Sequence, residues 1–290
     1  MLYIICGPTA SGKTKAAIEL AEHFNAPIIN ADAFQIYKDM NIGTAKIEKD
    51  NPYYNRHYLL DIISPNENFS VKEYQTLFRQ TVEKLSNVYP HIIVVGGTGL
   101  YIKAAIYDYV FEEMNDDITD LEKLSNDELY NMLIKLDKKA SEAIHINNRK
   151  RVIRAISIAR SGKVNKSENI ASQEHKILYD AKILMISPER ETLYKNINKR
   201  VDIMFNDGLL DEVTMLLKKY TLSSTAKAAI GYKEVIDYIN GDISLLACQE
   251  LIKKRSRNYA KRQVTFFKNQ FDLLTFEDSN LLIDWVKNNE

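Results

Sequence analysis

Gly7-Pro8-Thr9-Ala10-Ser11-Gly12-Lys13-Thr14 has the spacing G-x-x-x-x-G-K-[ST], which suits a loop that cradles phosphates. An apolar run, Leu2-Tyr3-Ile4-Ile5-Cys6, leads into it, and after it Ala17, Leu20, Ala21 and Phe24 share one helical face. A glycine-rich turn between strand and helix aims several backbone N–H groups into one hollow, and the helix N-terminus adds partial positive charge there. Lys13 brings a full charge to the outer phosphates, and the Thr14 hydroxyl can hold Mg²⁺. The pattern implies a bound di- or triphosphate without choosing between them.

Other reactive groups fall where the same crevice would form. Pro27-Ile28-Ile29-Asn30-Ala31 reads as a short strand with Asp32 just past its end. Ligands of open α/β sheets sit outside the carboxyl ends of the strands, so Asp32 stands near the phosphates or else caps a turn. His91-Ile92-Ile93-Val94-Val95 reads as a buried strand followed by Gly96-Gly97-Thr98-Gly99. Many nucleotide hydrolases end this strand on an Asp that orders Mg²⁺; two glycines and Thr98 stand here, which weakens an ATPase reading. The glycines admit a close ligand or form a plain tight turn. Further on, Leu193, Ile197, Val201 and Met204 define an apolar helical stripe with Arg200 inside it. A charge on such a stripe needs an anionic partner, either a bound phosphate or a core carboxylate.

These groups need a scaffold of parallel strands and flanking helices. Ser70-Val71-Lys72-Glu73 has capping-box spacing and opens a helix with Tyr74, Leu77, Phe78 and Leu85 on one face. Lys182–Ile186 returns as a strand, and Asp272–Phe276 with a helix through Trp285 close the chain. Between Phe111 and Glu128 the composition turns acidic, with eight acidic residues and one lysine. Helical patterns follow to about Gly162. The expected fold is α/β, a P-loop NTPase-like parallel sheet core (1–110 and 179–290) interrupted by a helical insertion domain at 111–178.

Two basic runs stand out. Residues 149–154 carry four positive charges in six positions, and 253–262 carry six in ten. On a helix, Lys253, Arg257, Lys261 and Lys268 share a face opposite Ile252, Tyr259 and Phe266. Each run contacts a polyanion or is a solvated face. The whole chain has 290 residues, 45% hydrophobic, with Lys+Arg 39 balanced by Asp+Glu 39, so no global field draws it to nucleic acid or membrane. Two cysteines cannot build a zinc site, and Cys6 reads as a small buried apolar residue. With no signal-peptide pattern and no apolar run of membrane-span length, the chain reads as cytoplasmic.

Together these stretches resemble one family, the bacterial tRNA dimethylallyltransferases. The resemblance rests on GPTASGKT at 7–14, INADAFQIYKDMNIGTAK at 29–46, GGTGLYIKA at 96–104, NNRKRVIRA at 147–155, DGLLDEV at 207–213, AIGYKE at 229–234 and RNYAKRQVTFFKN at 257–269. The phosphate loop is shared by many enzymes; its combination with the second and last segments is specific.

The resemblance implies transfer of a dimethylallyl group from dimethylallyl diphosphate, with Mg²⁺, to the N6 amine of the adenosine 3′ of the anticodon. The acceptors are tRNAs reading codons that begin with U, and the enzyme is expected to act as a monomer. It places the catalytic Asp at Asp32, a phosphate-contacting Thr at Thr98 and the active-site Arg at Arg200, with Lys13 beside them. It assigns tRNA contacts to Asp32, Ala33, Phe34, Gln35 and Thr98, to Lys150, Arg151, Val152, Ile153 and Arg154, to Gly231, Tyr232 and Lys233, and to Lys261, Arg262, Gln263, Thr265 and Lys268. Ala33, Asn148, Phe267 and Lys268 depart from the residues common at those positions and bear on the detail of tRNA contact. A small-metabolite kinase would leave the basic helix unused, and an RNA-binding module would leave Asp32, Thr98 and Arg200 convergent for no reason. Prenyl transfer to free AMP fits the helical insertion less well.

Overall fold

A computed structural model describes residues 1–111, 118–161 and 176–289. Part of the acidic stretch after Phe111, and Gly162, lie outside the described residues. The described chain forms two compact units, Met1–Ala105 with Tyr179–Glu290, and Ile106–Leu178.

The larger unit is built on six parallel strands: β1 (Leu2–Cys6), β2 (Ile28–Asn30), β3 (His57–Tyr58), β4 (Ile92–Gly96), β5 (Ala181–Ile186) and β6 (Leu274–Phe276). Their order is β3-β2-β4-β1-β5-β6. Leu2 pairs with Ile92 on one side and Ala181 on the other, and Cys6 with Gly96 and Met185. The central strands are apolar throughout because both faces are covered. On one face Tyr3, Ile5, Ile93 and Val95 pack against α1 (Lys13–His23) and the C-terminal helix Ser279–Asn288. Phe24 stacks on Tyr3 with ring centroids 5.0 Å apart. The short β3 carries no alternation that sequence periodicity could detect.

α2 (Val71–Ser86) starts with the expected capping box: Ser70 accepts from the Glu73 N–H, and Glu73 accepts from the Ser70 N–H. Tyr74, Phe78, Val82 and Leu85 are buried, and the Tyr74 hydroxyl donates to the Asn30 carbonyl at the end of β2. α3 (Gly99–Ile106) follows β4 directly. Gly96 is required there, because a Cβ would lie 2.2 Å from the Ala31 carbonyl of the neighbouring strand end.

In the second unit, α4 (Thr119–Glu122), α5 (Asn126–Leu136), α6 (Lys138–Ala143) and α7 (Arg149–Arg160) close on Leu121, Leu129, Leu133, Val152, Ala155 and Ile156. Back in the larger unit come α8 (Arg190–Asn206), α9 (Leu209–Lys219), α10 (Ser224–Lys227), α11 (Tyr232–Ile239), α12 (Leu245–Gln270, 26 residues) and α13 (Ser279–Asn288). A second core joins Ile36, Tyr37 and Met40 to Val201, Met204, Leu209, Val213, Tyr232 and Ile252, fixing α8, α9, α11 and α12 against the 33–46 segment. Among the described residues no helix is long and apolar enough to cross a membrane.

Candidate active site

The chain leaves β1 towards one edge of the sheet and later crosses to the other, which makes the carboxyl end of β1 a topological switch point. The phosphate loop begins there. Gly12 has φ 94°, a left-handed turn costly to any side chain, and it delivers the chain into α1 at Lys13. Beside the loop lies a cavity of about 310 Å³. Thr9, Lys13, Thr14, Asp32, Gln35 and Arg200 line it, together with an apolar wall of Ile197, Val201, Met204, Ile230 and Ile252.

Asp32 is half-buried just beyond β2. Its Oδ1 accepts the Phe34 N–H at 2.9 Å, so this oxygen caps a turn, as one sequence reading holds. Among the described residues its other oxygen has no hydrogen-bond partner. Capping with one oxygen leaves the second available for chemistry, so the two readings of Asp32 coexist. The strand end is held by Asn30, whose Oδ1 accepts the Asp32 N–H at 3.1 Å and whose Nδ2 donates to the Asp32 and Leu59 carbonyls.

Arg200 comes from the apolar stripe of α8, where Leu193, Ile197, Val201 and Met204 are buried. Among the described residues no carboxylate pairs with it. Its Nη1 donates to Thr9 Oγ1 at 3.0 Å and its Nη2 to the Thr44 carbonyl at 3.2 Å, both neutral oxygens. Burial lowers its pKa, with the Asp32 charge opposing. A cation held by neutral acceptors beside a cavity retains its full attraction for an incoming anion. The Lys13 ammonium donates to the Pro8 carbonyl at 2.5 Å. Burial, and then repulsion from Arg200, brings its pKa down from 10.5 to about 8, against the pull of Asp32.

That value sets a pH prediction. A bound diphosphate favours charged Lys13, so binding takes up a proton near pH 8. Affinity for inorganic diphosphate should be full below pH 8 and weaken as pH rises through it. The comparison is parent minus Lys13→Met by calorimetry, in which the ligand's own titration cancels. A pH-independent difference would contradict it. In the free protein the sign reverses: unfolded Lys13 keeps its proton up to about 10.5 and folded Lys13 only to about 8, so this group makes the fold gain stability between those values.

Several of the anticipated site residues have partners within the protein. The Thr98 Oγ1 accepts the Ala33 N–H at 3.0 Å and its own N–H donates to the Ala31 carbonyl, so it braces the Asp32 turn. Gln263 is buried: its Nε2 donates to the Gly97 carbonyl at 2.8 Å and its Oε1 accepts the Thr9 N–H at 3.0 Å, latching two loops. These bonds use its amide within the protein, although it borders the cavity. Val152, Gly231 and Tyr232 are buried, Ile153 is packed against its helical core, and the Thr265 hydroxyl donates to the Lys261 carbonyl of its own helix. Phe267 is fully buried among Phe266 and Phe271.

The basic face of α12 is also rearranged. Lys253 is held by Asp202 at 2.8 Å and Glu250 at 3.3 Å, and Arg257 donates to Asn198 at 2.6 Å. The exposed cations there are Lys254, Lys261, Arg262 and Lys268. In the second unit Lys150, Arg151 and Arg154 are exposed, whereas Arg149 is committed to Asn126 and to the Leu121 and Glu122 carbonyls. Cys6 is buried, its thiol pushed up to about 12 by burial, which leaves it inert.

Sequence reading passed over His57 and gave Tyr259 only a place on an apolar helix face, yet both line the cavity. Burial, and then the Asp32 charge, pushes the Tyr259 phenol up to about 12, so it stays a neutral hydroxyl beside that carboxylate. His57 Nδ1 lies 2.8 Å from the Tyr53 carbonyl, which can only accept. The ring therefore carries its proton on Nδ1, and burial lowers its pKa. Neither residue stands in a spacing that announces chemistry; only the folded cavity gathers them.

The arrangement can neutralise a diphosphate at one end, seat a small apolar chain along the wall, and offer a carboxylate oxygen to a proton. Comparison with known proteins points the same way. The profile of the family "IPP transferase" matches residues 35–270. A tRNA dimethylallyltransferase of Anoxybacillus flavithermus is 43% identical over 277 residues, 94% of this chain and 89% of that one. That of Bacillus subtilis is 41% identical over 281 residues, 94% of this chain and 90% of the relative. Among solved structures, a tRNA delta(2)-isopentenylpyrophosphate transferase of Staphylococcus epidermidis superposes with TM-score 0.74 and 38% identity, covering 99% of this chain and 97% of the other. A eukaryotic dimethylallyltransferase acting on tRNA gives TM-score 0.84 and 27% identity, covering 99% of this chain and 79% of its own. With the family profile spanning most of the chain and identity of this order running nearly end to end, the chain belongs to the IPP transferases, the family of the tRNA dimethylallyltransferases.

Proposed function

We propose that the protein transfers the dimethylallyl group of dimethylallyl diphosphate to the N6 amine of the adenosine 3′ of the anticodon, in tRNAs reading codons that begin with U. The observation that carries this reading is the joint lining of one cavity by Lys13, Arg200, Asp32 and an apolar wall. The amine nitrogen forms a bond to C1 of the allyl chain as the C1–O bond breaks, and the electron pair leaves with the diphosphate. Lys13, Arg200 and the loop N–H groups stabilise that charge where it grows. The amine lone pair is delocalised into the adenine ring, so removal of its proton by Asp32 as the bond forms is the step a carboxylate can assist. The base must leave the anticodon-loop stack to reach the cavity.

Thr14 is exposed at the start of α1 and lines the cavity, so its hydroxyl fits a Mg²⁺ carried by the diphosphate. Among the described residues no group of three or more His, Cys, Asp or Glu could hold a metal, which leaves most of the ion's ligands to the substrate and water. Bound there, Mg²⁺ supplies charge neutralisation to the leaving group. β4 ends in Gly96 and Gly97 without an acidic residue, which favours an isoprenoid diphosphate over ATP as donor.

Labelled dimethylallyl diphosphate, Mg²⁺ and unmodified tRNA test the proposal. Label should appear on N6 of that adenosine, with ATP hydrolysis at background. Label on free AMP alone, or ATP turnover without transfer, would overturn it.

The anticodon stem-loop meets the exposed cations of α12 on this reading. Neutralising Lys254, Lys261 and Lys268 together should weaken tRNA binding and flatten its salt dependence. The slope of log affinity against log salt should shrink by about 0.7 to 0.9 for each phosphate that is no longer neutralised. Binding of dimethylallyl diphosphate should stay near parental. Lys253→Met should leave tRNA affinity near parental, because Lys253 is already paired with Asp202 and Glu250. Parental tRNA affinity in the triple variant would make this face merely solvated.

A further inference from the structure

Glu212 lies on α9 and is buried, yet it does not line the cavity. Its Oε2 accepts the N–H groups of Asn41 at 3.0 Å and Ile42 at 2.8 Å. Its Oε1 accepts the Gly43 N–H at 3.2 Å and the Tyr232 hydroxyl at 2.6 Å. One carboxylate thus gathers three consecutive backbone N–H groups of the segment that runs along the cavity. A carboxylate accepting several N–H groups makes strong, charge-assisted bonds. One residue further on, the Thr44 carbonyl receives Arg200 Nη2 at 3.2 Å and Gln35 Nε2 at 3.1 Å. Downstream, the buried Lys46 ammonium donates to the Tyr37 carbonyl and to Asp61, both at 2.6 Å, so the segment is pinned again just past the site. Ala45, between the two anchors, is held at φ 45°, a conformation that side chains reach at a cost and that neighbouring structure must enforce.

We propose that Glu212 is a positioning residue for the transfer reaction: it fixes the 41–44 segment so that the Thr44 carbonyl holds the Arg200 guanidinium towards the diphosphate end of the cavity. This rests on the reading of the site as a diphosphate-binding one. Arg200 has two hydrogen bonds, and Thr9 Oγ1 alone cannot fix the orientation of a planar fork. Glu212 therefore acts through Arg200.

Glu212→Gln tests this. The amide replaces one acceptor oxygen with an NH₂ group that faces N–H or O–H donors, so the segment must move. Binding of inorganic diphosphate with Mg²⁺ is measured by calorimetry on the parent, Glu212→Gln, Arg200→Ala and the double variant, with single-turnover transfer measured beside it. By analogy with outer-shell partners of metal ligands, Glu212→Gln should weaken diphosphate binding and slow transfer by about 10- to 100-fold. In the Arg200→Ala background the same change should have almost no further effect, since residues that act through one another are non-additive. General loosening of the fold would add its penalty in both backgrounds.

If Glu212→Gln does not fold, Gly43→Ala reaches the same joint from the other side, because a Cβ there would lie 2.4 Å from Tyr232 Cε2. It should give the same loss, again absent without Arg200. Parental binding and transfer in a folded Glu212→Gln, or penalties that add in the double variant, would overturn the proposal. Should the parent bind diphosphate but fail to prenylate tRNA, the functional reading falls while the binding cycle still decides the role of Glu212. A parent that binds no diphosphate overturns both.

Discussion

Asp32→Asn should lower single-turnover transfer by about 100- to 10,000-fold, the usual cost of removing a positioned general base. The substitution is nearly isosteric, and Asn keeps an Oδ1 to accept the Phe34 N–H, so the turn after β2 survives. The Asn30 and Thr98 bonds that brace this turn go to backbone groups and are untouched. What disappears is the basicity of the second oxygen and the negative charge that attracts Lys13 and Arg200. Affinity for dimethylallyl diphosphate should therefore hold or improve slightly, because a carboxylate repels that anion. The thermal midpoint should move little. Activity within a few-fold of the parent would leave Asp32 as a turn cap and send the search for a base to His57, which lines the same cavity.

Lys13→Ala should slow transfer by at least about 100-fold, as for loss of one electrostatic donor aimed at developing charge. Its effect is expected in kcat as well as in diphosphate affinity, because the charge on the bridging oxygen grows only as the C1–O bond breaks. In the free protein Lys13 is buried beside another cation, and burial first, then that repulsion, brings its pKa down to about 8. Removing it should leave the thermal midpoint of the ligand-free protein unchanged or raised, since a poorly compensated charge is taken out of the fold. A variant that loses activity because it has unfolded would break this pairing of results. Arg200→Ala should resemble Lys13→Ala in kinetics but should also release Thr9 and the Thr44 carbonyl, and so cost some order around the cavity.

Local pattern was enough to place the phosphate loop, the buried strands, the capping box at Ser70 and the stripe carrying Arg200. These depend on neighbours a few residues apart: a glycine that admits a left-handed turn, a run that suits a sheet covered on both faces, an N-cap oxygen three residues before a glutamate. Family resemblance added the reaction and the likeness of whole motifs, which no periodicity supplies. What only the tertiary structure decided is how each polar group in those motifs is occupied. Helix periodicity groups Lys253 and Arg257 with Lys261, but Asp202 and Asn198, brought up on α8, engage the first two. Thr98 turns its hydroxyl to Ala33, and Gln263 latches the phosphate loop to Gly97 across most of the chain length. Glu212 reads as one more acidic residue on an amphipathic helix until Asn41, Ile42, Gly43 and Tyr232 converge on it. A hydrogen bond forms with whatever the fold brings within about 3 Å, and spacing along the chain carries no information about partners that distant in sequence.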